Sequence, residues 1–302
     1  MPDYTFVLNP EAGKGAGRKA GERLEKLLSR FSRPYELVRT EKPGHATEIA
    51  RVCGSHVVVA VGGDGTINEV ANALAGTGRA IGIVPTGSGN DFIKSVGVPR
   101  QMEAALELIQ ARRERVIDAG IVQTGALQNG SMEYAPARYF VNGVGVGFDA
   151  SVARRVREIR FLRGTPLYLL AVLRTLGKYH SPEFTCRTDN TQWSARKFLI
   201  ASGNGRCAGG GFYLTPEAIV DDGLLDVCVI DDVSVLKILR LVPQVFAGKR
   251  VDDSQVNYQR TKELEVNSKE SFNVHADGEI VGREVHGVRV KMVPGALRIV
   301  GP

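Results

Sequence analysis

The sequence predicts a two-domain protein of α/β plus mostly-β class. An N-terminal open parallel sheet with flanking helices is expected over residues 1–120. An antiparallel, β-sandwich-like domain is expected over 121–302, with a last strand able to return to the first domain. Three observations predict this. Residues 4–111 alternate short apolar runs with stretches of helical spacing. The run at 57–61, Val-Val-Val-Ala-Val, is mostly β-branched and unalternated, as in a central parallel strand covered on both faces. Beyond residue 120, short strand-like segments follow one another between Gly, Asn and Asp turns.

Taken in order, Tyr4–Leu8 is a first apolar strand. Residues 17–32 carry Ala20, Leu24, Leu27, Leu28 and Phe31 at helical spacing. A strand at Tyr35–Arg39, a helix at 45–53, a strand at 57–61, a helix at 66–77, a strand at 80–84 and a helix at 101–111 continue the alternation. Thr66 and Glu69 match a capping box, which predicts that the third helix begins at Thr66. Ligands in such folds bind beyond the carboxyl ends of the strands. The motifs at residues 9, 62 and 85 each follow a strand, so they are expected to converge on one crevice. Further strands are predicted at 116–122, 139–142, 184–188, 198–202, 224–230, 256–258, 263–266, 288–293 and 297–300. Two helical stretches interrupt them, at 150–178 and 234–247. This texture reads as a sandwich or a broken barrel.

A length of 302 residues favours two domains. Hydrophobic content of 43% and charged content of 24% are ordinary for a soluble globular protein. No apolar run nears the roughly 20 residues of a membrane span. The start, Met1-Pro2-Asp3-Tyr4, lacks the basic and apolar regions of a signal peptide. A cytoplasmic protein is therefore expected. Cys53, Cys186, Cys207 and Cys228 are scattered without Cys-x-x-Cys spacing, which argues against zinc or disulfide use.

The net charge of +6 is unevenly placed, because residues 150–180 hold seven basic residues against one acid, Glu158. Arg154, Arg155, Arg157, Arg160 and Arg163 stand there near Phe161, Leu162, Tyr168, Leu169 and Leu170. This segment is either a solvated helix face over a core or a surface for an anionic membrane. It lacks a nucleic-acid motif and aromatic interleaving, so no nucleic-acid partner is expected.

The chemistry concentrates in a few segments. Gly62, Gly63 and Gly65 permit a tight turn and close approach of a ligand to backbone amides. A helix N-terminus beside such a turn suits phosphate. Asp64 would repel phosphate unless Mg²⁺ or a proton mediates, which points to a metal–nucleotide enzyme. The alternative is a tight turn whose Asp caps the helix. Asn9-Pro10-Glu11-Ala12-Gly13-Lys14-Gly15 lacks the Gly-Lys-Ser/Thr offset of a Walker loop, yet its glycines and Lys14 can lie over a triphosphate. Pro85-Thr86-Gly87-Ser88-Gly89-Asn90-Asp91-Phe92 offers hydroxyl, amide and carboxylate groups that can hold Mg²⁺ and orient phosphates, or simply cap a helix at Phe92. Asp221-Asp222-Gly223-Leu224-Leu225-Asp226 lacks the spacing of an EF-hand. Gly143-Val144-Gly145-Val146-Gly147 imitates a dinucleotide fingerprint with the wrong spacing and reads instead as a close backbone approach. Asp277-Gly278-Glu279 taken alone is a turn with two acids, and His275 beside it is a base by type.

Apart from the 143–147 run, these segments, with Thr40-Glu41-Lys42-Pro43-Gly44-His45-Ala46 between them, form an ordered set that resembles the diacylglycerol kinase catalytic-domain family. The likeness is strongest to the soluble bacterial lipid kinases; sphingosine and ceramide kinases belong to the same superfamily. It implies an ATP- and Mg²⁺-dependent kinase acting on a lipid hydroxyl, most readily that of diacylglycerol, to give phosphatidic acid. The second domain would hold the lipid. Glu279 matches the family's general base, while Asp64 and Asp91 would organise Mg²⁺ and the phosphates. The nucleotide site implied comprises Asn9, Gly13, Lys14, Thr40, Gly62, Gly63, Asp64, Gly65, Thr66, Ile67, Asn68, Glu69, Ser88 and Asn90. Ser88 stands where the family often has Thr and keeps the hydroxyl. Matching on Asp-Gly-Leu implies a structural Mg²⁺ held by the Asp222 carboxylate and the carbonyls of Ile219 and Leu224. Peripheral contact with an anionic membrane surface is expected, and a homodimer is an expected assembly. NAD kinases share Gly-Gly-Asp-Gly-Thr but place their Asn-Glu in a later loop, whereas Asn68-Glu69 is fused to the glycines here. A non-catalytic lipid-binding protein is the third reading; retention of Asp64, Asp91 and Glu279 argues against it.

Overall fold

The computed structural model describes residues 2–159, 165–177 and 179–302, without the side chains of Lys14, Arg157, Glu158, Thr165, Tyr168 and Leu169. Arg160, Phe161, Leu162, Arg163 and Lys178 of the basic segment thus lie outside the described residues, as does the Lys14 side chain. The chain divides into two compact units. One runs to Ala119 and includes Pro294–Pro302; the other is Gly120–Val293.

The first unit contains β1 (Tyr4–Leu8), α1 (Ala12–Leu28), β2 (Tyr35–Arg39), α2 (His45–Val52), β3 (Val57–Gly62), α3 (Asp64–Leu74), β4 (Ala80–Pro85), α4 (Phe92–Val96) and α5 (Met102–Ala111). β1 pairs in parallel with β2 and β3, and β3 pairs in parallel with β4. Arg298 and Ile299, at the end of the chain, pair in parallel with Ala80 and Ile81 of β4. Every residue of β1, β3 and β4 is buried. That burial explains the unalternated apolar runs, since both strand faces must be covered. Tyr4, Phe6 and Leu8 pack with Val57, Val59 and Val61 against Leu24 and Leu28 of α1 and Ile109 of α5. The spacing of two along each strand puts these side chains on one face.

Two local expectations are corrected here. α1 starts at Ala12 rather than 17, through an irregular first turn in which Gly13 and Gly15 take φ of +61° and +89°. α3 starts at Asp64 rather than Thr66. The Thr66 hydroxyl does not cap that helix but accepts from Asn9 Nδ2 at 3.0 Å. The Glu69 carboxylate accepts from the Gly44 and Ala46 amides at 2.9 and 3.0 Å, so it caps α2. A carboxylate on the positive end of a neighbouring helix gains from the same aligned peptide dipoles as one on its own.

The second unit is built on β5 (Glu114–Gln128), β6 (Ser131–Tyr134), β7 (Arg138–Phe140), β8 (Gly143–Gly147), α6 (Phe148–Glu158), α7 (Thr165–Leu176), β9 (Glu183–Thr188), β10 (Gln192–Gly203), β11 (Leu225–Asp231), α8 (Val235–Phe246), β12 (Val256–Thr261), β13 (Glu263–Ala276) and β14 (Glu279–Val300). β5 begins and β14 ends in residues of the first unit. Inside the second unit, β10 and β13 make antiparallel pairs, as do β11 with β12 and β5 with β6 and β7. β10 pairs with β8, β9 and β11, and β13 pairs with β8, β9 and β14.

Alternation along β10 and β11 divides two cores. Ile200, Val227 and Val229 face one cluster with Val274 and Val288. Leu199, Ala201, Cys228 and Ile230 face another with Leu167 and Val172 of α7 and Leu241 and Val245 of α8. The register of β10 slips between Lys197 and Leu199. Such a bulge lets the consecutive residues Phe198 and Leu199 join the same cluster. The short segments expected at 263–266, 288–293 and 297–300 are parts of two long strands, β13 and β14. The glycine run at 143–147 is itself a strand, β8, lying between β10 and β13.

Candidate active site

In the first unit, the loops after β1, β3 and β4 meet. The Asn9 amide donates to the Val61 carbonyl at 2.9 Å, and the Thr86 amide to the Gly62 carbonyl at 2.8 Å. Gly63 and Gly87 touch backbone to backbone: a Cβ on Gly87 would stand 2.5 Å from the Gly63 Cα. A Cβ on Gly13 would stand 3.0 Å from the Thr86 carbonyl oxygen. Glycine is thus required here by close approach of chains. Asn90, at φ +52°, closes its loop by accepting from the Gly87 amide and donating to the Gly87 carbonyl. Asp64 Oδ1 accepts from the Phe92 amide at 3.1 Å, so it caps α4. Asp91 is only 3% exposed, and Lys94 Nζ lies 2.8 Å from its Oδ1. The Thr86 hydroxyl oxygen is buried and has no hydrogen-bond partner among the described residues.

The other nucleotide candidates spread around these loops. The Thr40 amide donates to the Leu8 carbonyl at the end of β1. Asn68 is buried, and its carbonyl and side-chain oxygens accept from Asn72 Nδ2. Ile67 is buried in α3, Ser88 is exposed, and Gly65 lies in the first turn of α3.

In the second unit, Asp277 and Gly278 form the two-residue turn between β13 and β14, with φ of +49° and +80°. Asp-Gly with both residues left-handed is the turn whose twist matches paired strands. The Asp277 carboxylate accepts the amides of Val141, Asn142 and Gly143, each at 2.9 Å. It therefore anchors the turn to the chain around β8. Glu279 follows, one-third exposed, in an ion pair with Arg138 of β7. His275 is 4% exposed; its Nε2 lies 2.8 Å from Asp149 Oδ2, and its Nδ1 accepts the Gly278 amide at 3.3 Å.

Beside this turn lies an apolar cavity. Its walls include Phe148, Val152, Val172, Leu241 and Val245. Asp149, His275 and Gly278 also line it. It encloses about 770 Å³ of empty space, with the open solvent at its mouth counted in.

The metal candidates differ in kind. Asp222 Oδ1 accepts from the Leu224 amide at 3.0 Å in a turn around Gly223, at φ +75°, and Ile219 is exposed. Among the described residues, no group of three or more His, Cys, Asp or Glu side chains is placed to hold a metal ion. Burial pushes the Asp226 carboxyl above its ordinary range, against the opposing pull of Arg260.

Residues 3–122 match the family described as the diacylglycerol kinase catalytic domain, and residues 142–301 match the YegS C-terminal NAD kinase beta sandwich-like domain. The chain belongs to the diacylglycerol kinase catalytic-domain family. A diacylglycerol kinase of Mycobacterium tuberculosis is 31% identical over 303 residues, spanning 99% of this chain and 94% of the relative. A Pseudomonas aeruginosa protein described as "Probable lipid kinase YegS-like" is 35% identical over 304 residues, spanning 98% and 94%. In fold, a solved Bacillus anthracis protein titled as one of the diacylglycerol kinases aligns with a TM-score of 0.71 at 18% identity, over 100% of this chain and 97% of that one. As a member of this kinase family, the chain is an enzyme.

Several groups of this family member escaped sequence reading. Arg138 and Asp149 carry no motif of their own, and the apolar cavity is assembled from α6, α7, α8, β10, β11 and β13. One signal did exist for Asp149. A Cβ on Gly145 would lie 2.2 Å from Asp149 Oδ2 and 2.3 Å from His275 Nε2. The alternating glycine thus marks the close approach of side chains rather than of a dinucleotide. The four cysteines are free thiols. Burial pushes those of Cys186 and Cys228 up to about 12, which makes them poor nucleophiles and metal ligands.

Proposed function

We propose that this kinase transfers the γ-phosphoryl group of ATP to a lipid hydroxyl, and that diacylglycerol, giving phosphatidic acid, is the first acceptor to test. The observation that carries the reading is the apolar cavity of the second unit. Its Gly278 edge immediately precedes Glu279 in the chain. An acyl chain suits such walls, since each buried CH₂ contributes about 0.8 kcal/mol. A charged dinucleotide, the acceptor of an NAD kinase, does not.

ATP is assigned to the loops at residues 9–14, 62–69 and 85–91. These loops stand at the ends of β1, β3 and β4 and lead into helices, a setting that suits phosphate, and among the described residues the buried Thr86 hydroxyl has a hydrogen bond still to make. Asp64 and Asp91 offer carboxylate oxygens, the donor type that Mg²⁺ takes. When bound there, Mg²⁺ would neutralise charge on the phosphates. A second, structural Mg²⁺ is proposed on the Asp222 carboxylate with the carbonyls of Ile219 and Leu224.

The lipid oxygen attacks the γ-phosphorus, and its new O–P bond forms as the bond to the ADP oxygen breaks. The hydroxyl proton passes to the Glu279 carboxylate. Arg138 keeps that carboxylate oriented through their ion pair. Positioning supplies much of the rest, because phosphoryl transfer asks little covalent chemistry of the protein.

The lipid is met at a membrane surface. No helix among the described residues is long and apolar enough to cross a membrane. Peripheral contact is supported by the basic excess of residues 150–180 and by Leu236 and Leu239 on α8, which are 63% and 40% exposed.

Purified protein with radiolabelled ATP, Mg²⁺ and dispersed diacylglycerol, monoacylglycerol, phosphatidylglycerol and sphingosine tests the reading. Label should appear in a lipid product. Label transferred to NAD and to none of the lipids would overturn it.

A further inference from the structure

Among the described residues, Asp149 and His275 are the titratable side chains that line the apolar cavity, and the lipid-kinase reading above gives neither a task. Their geometry is tightly specified. A backbone amide can only donate, so the bond from Gly278 N to His275 Nδ1 makes Nδ1 an acceptor. In a neutral imidazole the proton is then on Nε2, which donates to Asp149 Oδ2 at 2.8 Å. The ring stands above Gly145, its partner in the β8–β13 register, where any side chain would collide with both members of the pair. One ring nitrogen thus holds the carboxylate at the end of the cavity, and the other holds the turn from which Glu279 projects.

We propose that His275 is a positioning residue. It orients the Asp149 carboxylate to accept a hydrogen bond from the hydroxyl-bearing head of a lipid whose chain fills the cavity, and it holds that head in register with Glu279. The proposal rests on the lipid-kinase reading. A solvated histidine would not serve, because only a buried ring with both nitrogens engaged transmits position from one group to the other. The chemistry selected is a neutral hydrogen-bond donor on a long apolar chain. A head group carrying a phosphate beside the hydroxyl would meet the Asp149 charge and be disfavoured.

Steady-state kinetics on His275→Leu, His275→Gln, Asp149→Asn and the His275→Leu/Asp149→Asn double variant test it, with diacylglycerol in mixed micelles. KM for ATP and melting temperature are measured on each. His275→Leu fills the buried volume but makes neither bond. It should raise KM for lipid or lower kcat by about tenfold, the effect of losing a charge-assisted hydrogen bond. KM for ATP should stay within about twofold, because the ring does not belong to the nucleotide loops. His275→Gln, which can both donate and accept, should recover most of the loss. The double variant should be no worse than the poorer single variant, since the two residues act as a unit.

A folded His275→Leu protein with unchanged lipid kinetics would overturn the proposal while leaving the lipid-kinase reading intact. So would additive losses in the double variant. If His275→Leu fails to fold, Asp149→Asn and His275→Gln still decide: the first should impair lipid kinetics and the second should not, and the reverse pattern refutes the assignment. Wild-type protein that phosphorylates no lipid would sink the underlying reading and this proposal with it.

Discussion

Asp277 and Gly143 are bonded in both directions. The Gly143 amide donates to Asp277 Oδ1 at 2.9 Å, and the Asp277 amide donates to the Gly143 carbonyl at 2.9 Å. This double tie fastens the hairpin turn before Glu279 to β8, and the Val141 and Asn142 amides reinforce it. Asp277→Ala leaves three amides without their acceptor and puts a Cβ-bearing residue with no local hydrogen bond at φ +49°. Its cost should be about 3 kcal/mol of stability. Asp277→Asn keeps one acceptor oxygen and tolerates the left-handed turn, so it should lose about half as much. Chemical denaturation of both variants checks the order, and equal stability would remove Asp277 from this structural role.

Glu279→Gln keeps size and hydrogen bonding and discards the proton acceptor. Lipid phosphorylation should fall by roughly 10²–10⁴-fold, the usual effect of losing a general base. Glu279 is partly exposed, so breaking its pair with Arg138 should move stability by less than about 1 kcal/mol. Activity, ATP binding and thermal unfolding measured on one preparation separate the two roles. Near-wild-type turnover with normal binding would rule out Glu279 as the base.

Asp64 has two roles to separate, because it caps α4 and also stands among the loops proposed to hold phosphate. Asp64→Asn preserves an acceptor for the Phe92 amide but removes the charge. It should melt within a few degrees of wild type and lose most turnover. Asp64→Ala should lose the same turnover and in addition about 1 kcal/mol of stability from the cap. Asp64→Asn retaining full activity would show that the residue is a cap and nothing more.

The proposed membrane contact would have two physical components with different salt behaviour. Replacing Arg154, Arg155, Arg157, Arg160 and Arg163 by Gln should weaken binding to anionic vesicles. Each residue near the surface contributes about 1 kcal/mol at moderate salt, fading as salt rises. Leu236→Ser with Leu239→Ser should weaken binding at all salt concentrations, because apolar insertion is not screened. Co-sedimentation at two ionic strengths distinguishes them. Unchanged binding in both variants would remove this surface from the proposal.

Legibility in sequence followed burial and local chemistry. β1 and β2 coincide with their expected bounds, and β3 and β4 extend one residue further. A strand buried on both faces cannot carry polar residues, so its limits are written in composition. β13 and β14 were read only as fragments. Lys269, Glu270 and Ser271 inside β13 are exposed and interrupt the alternation, and the register with β14 slips between Asn267 and Phe272; the pairs on either side of the slip tie the two fragments into one strand. β8 had no signal of its own, since a run of glycine and valine becomes a strand only when neighbours on both sides supply its hydrogen bonds. The Thr66–Glu69 pattern misled because a capping box describes one helix, and Glu69 instead reaches the amides of another.

The sequence by itself determined the order of the glycine loops, the turn chemistry of Asp277-Gly278 and membership of the kinase family. Each motif behind them spans only a few neighbouring positions, and family membership follows from the order of those motifs along the chain. Tertiary structure alone decided that Arg138 would meet Glu279 across 141 residues of chain, and that Asp149 would meet His275 across 126. The register between β8 and β13 sets the second of these meetings, and Gly145 keeps the space for it. Contacts of that range depend on how strands pair and which faces pack, and no local pattern records them.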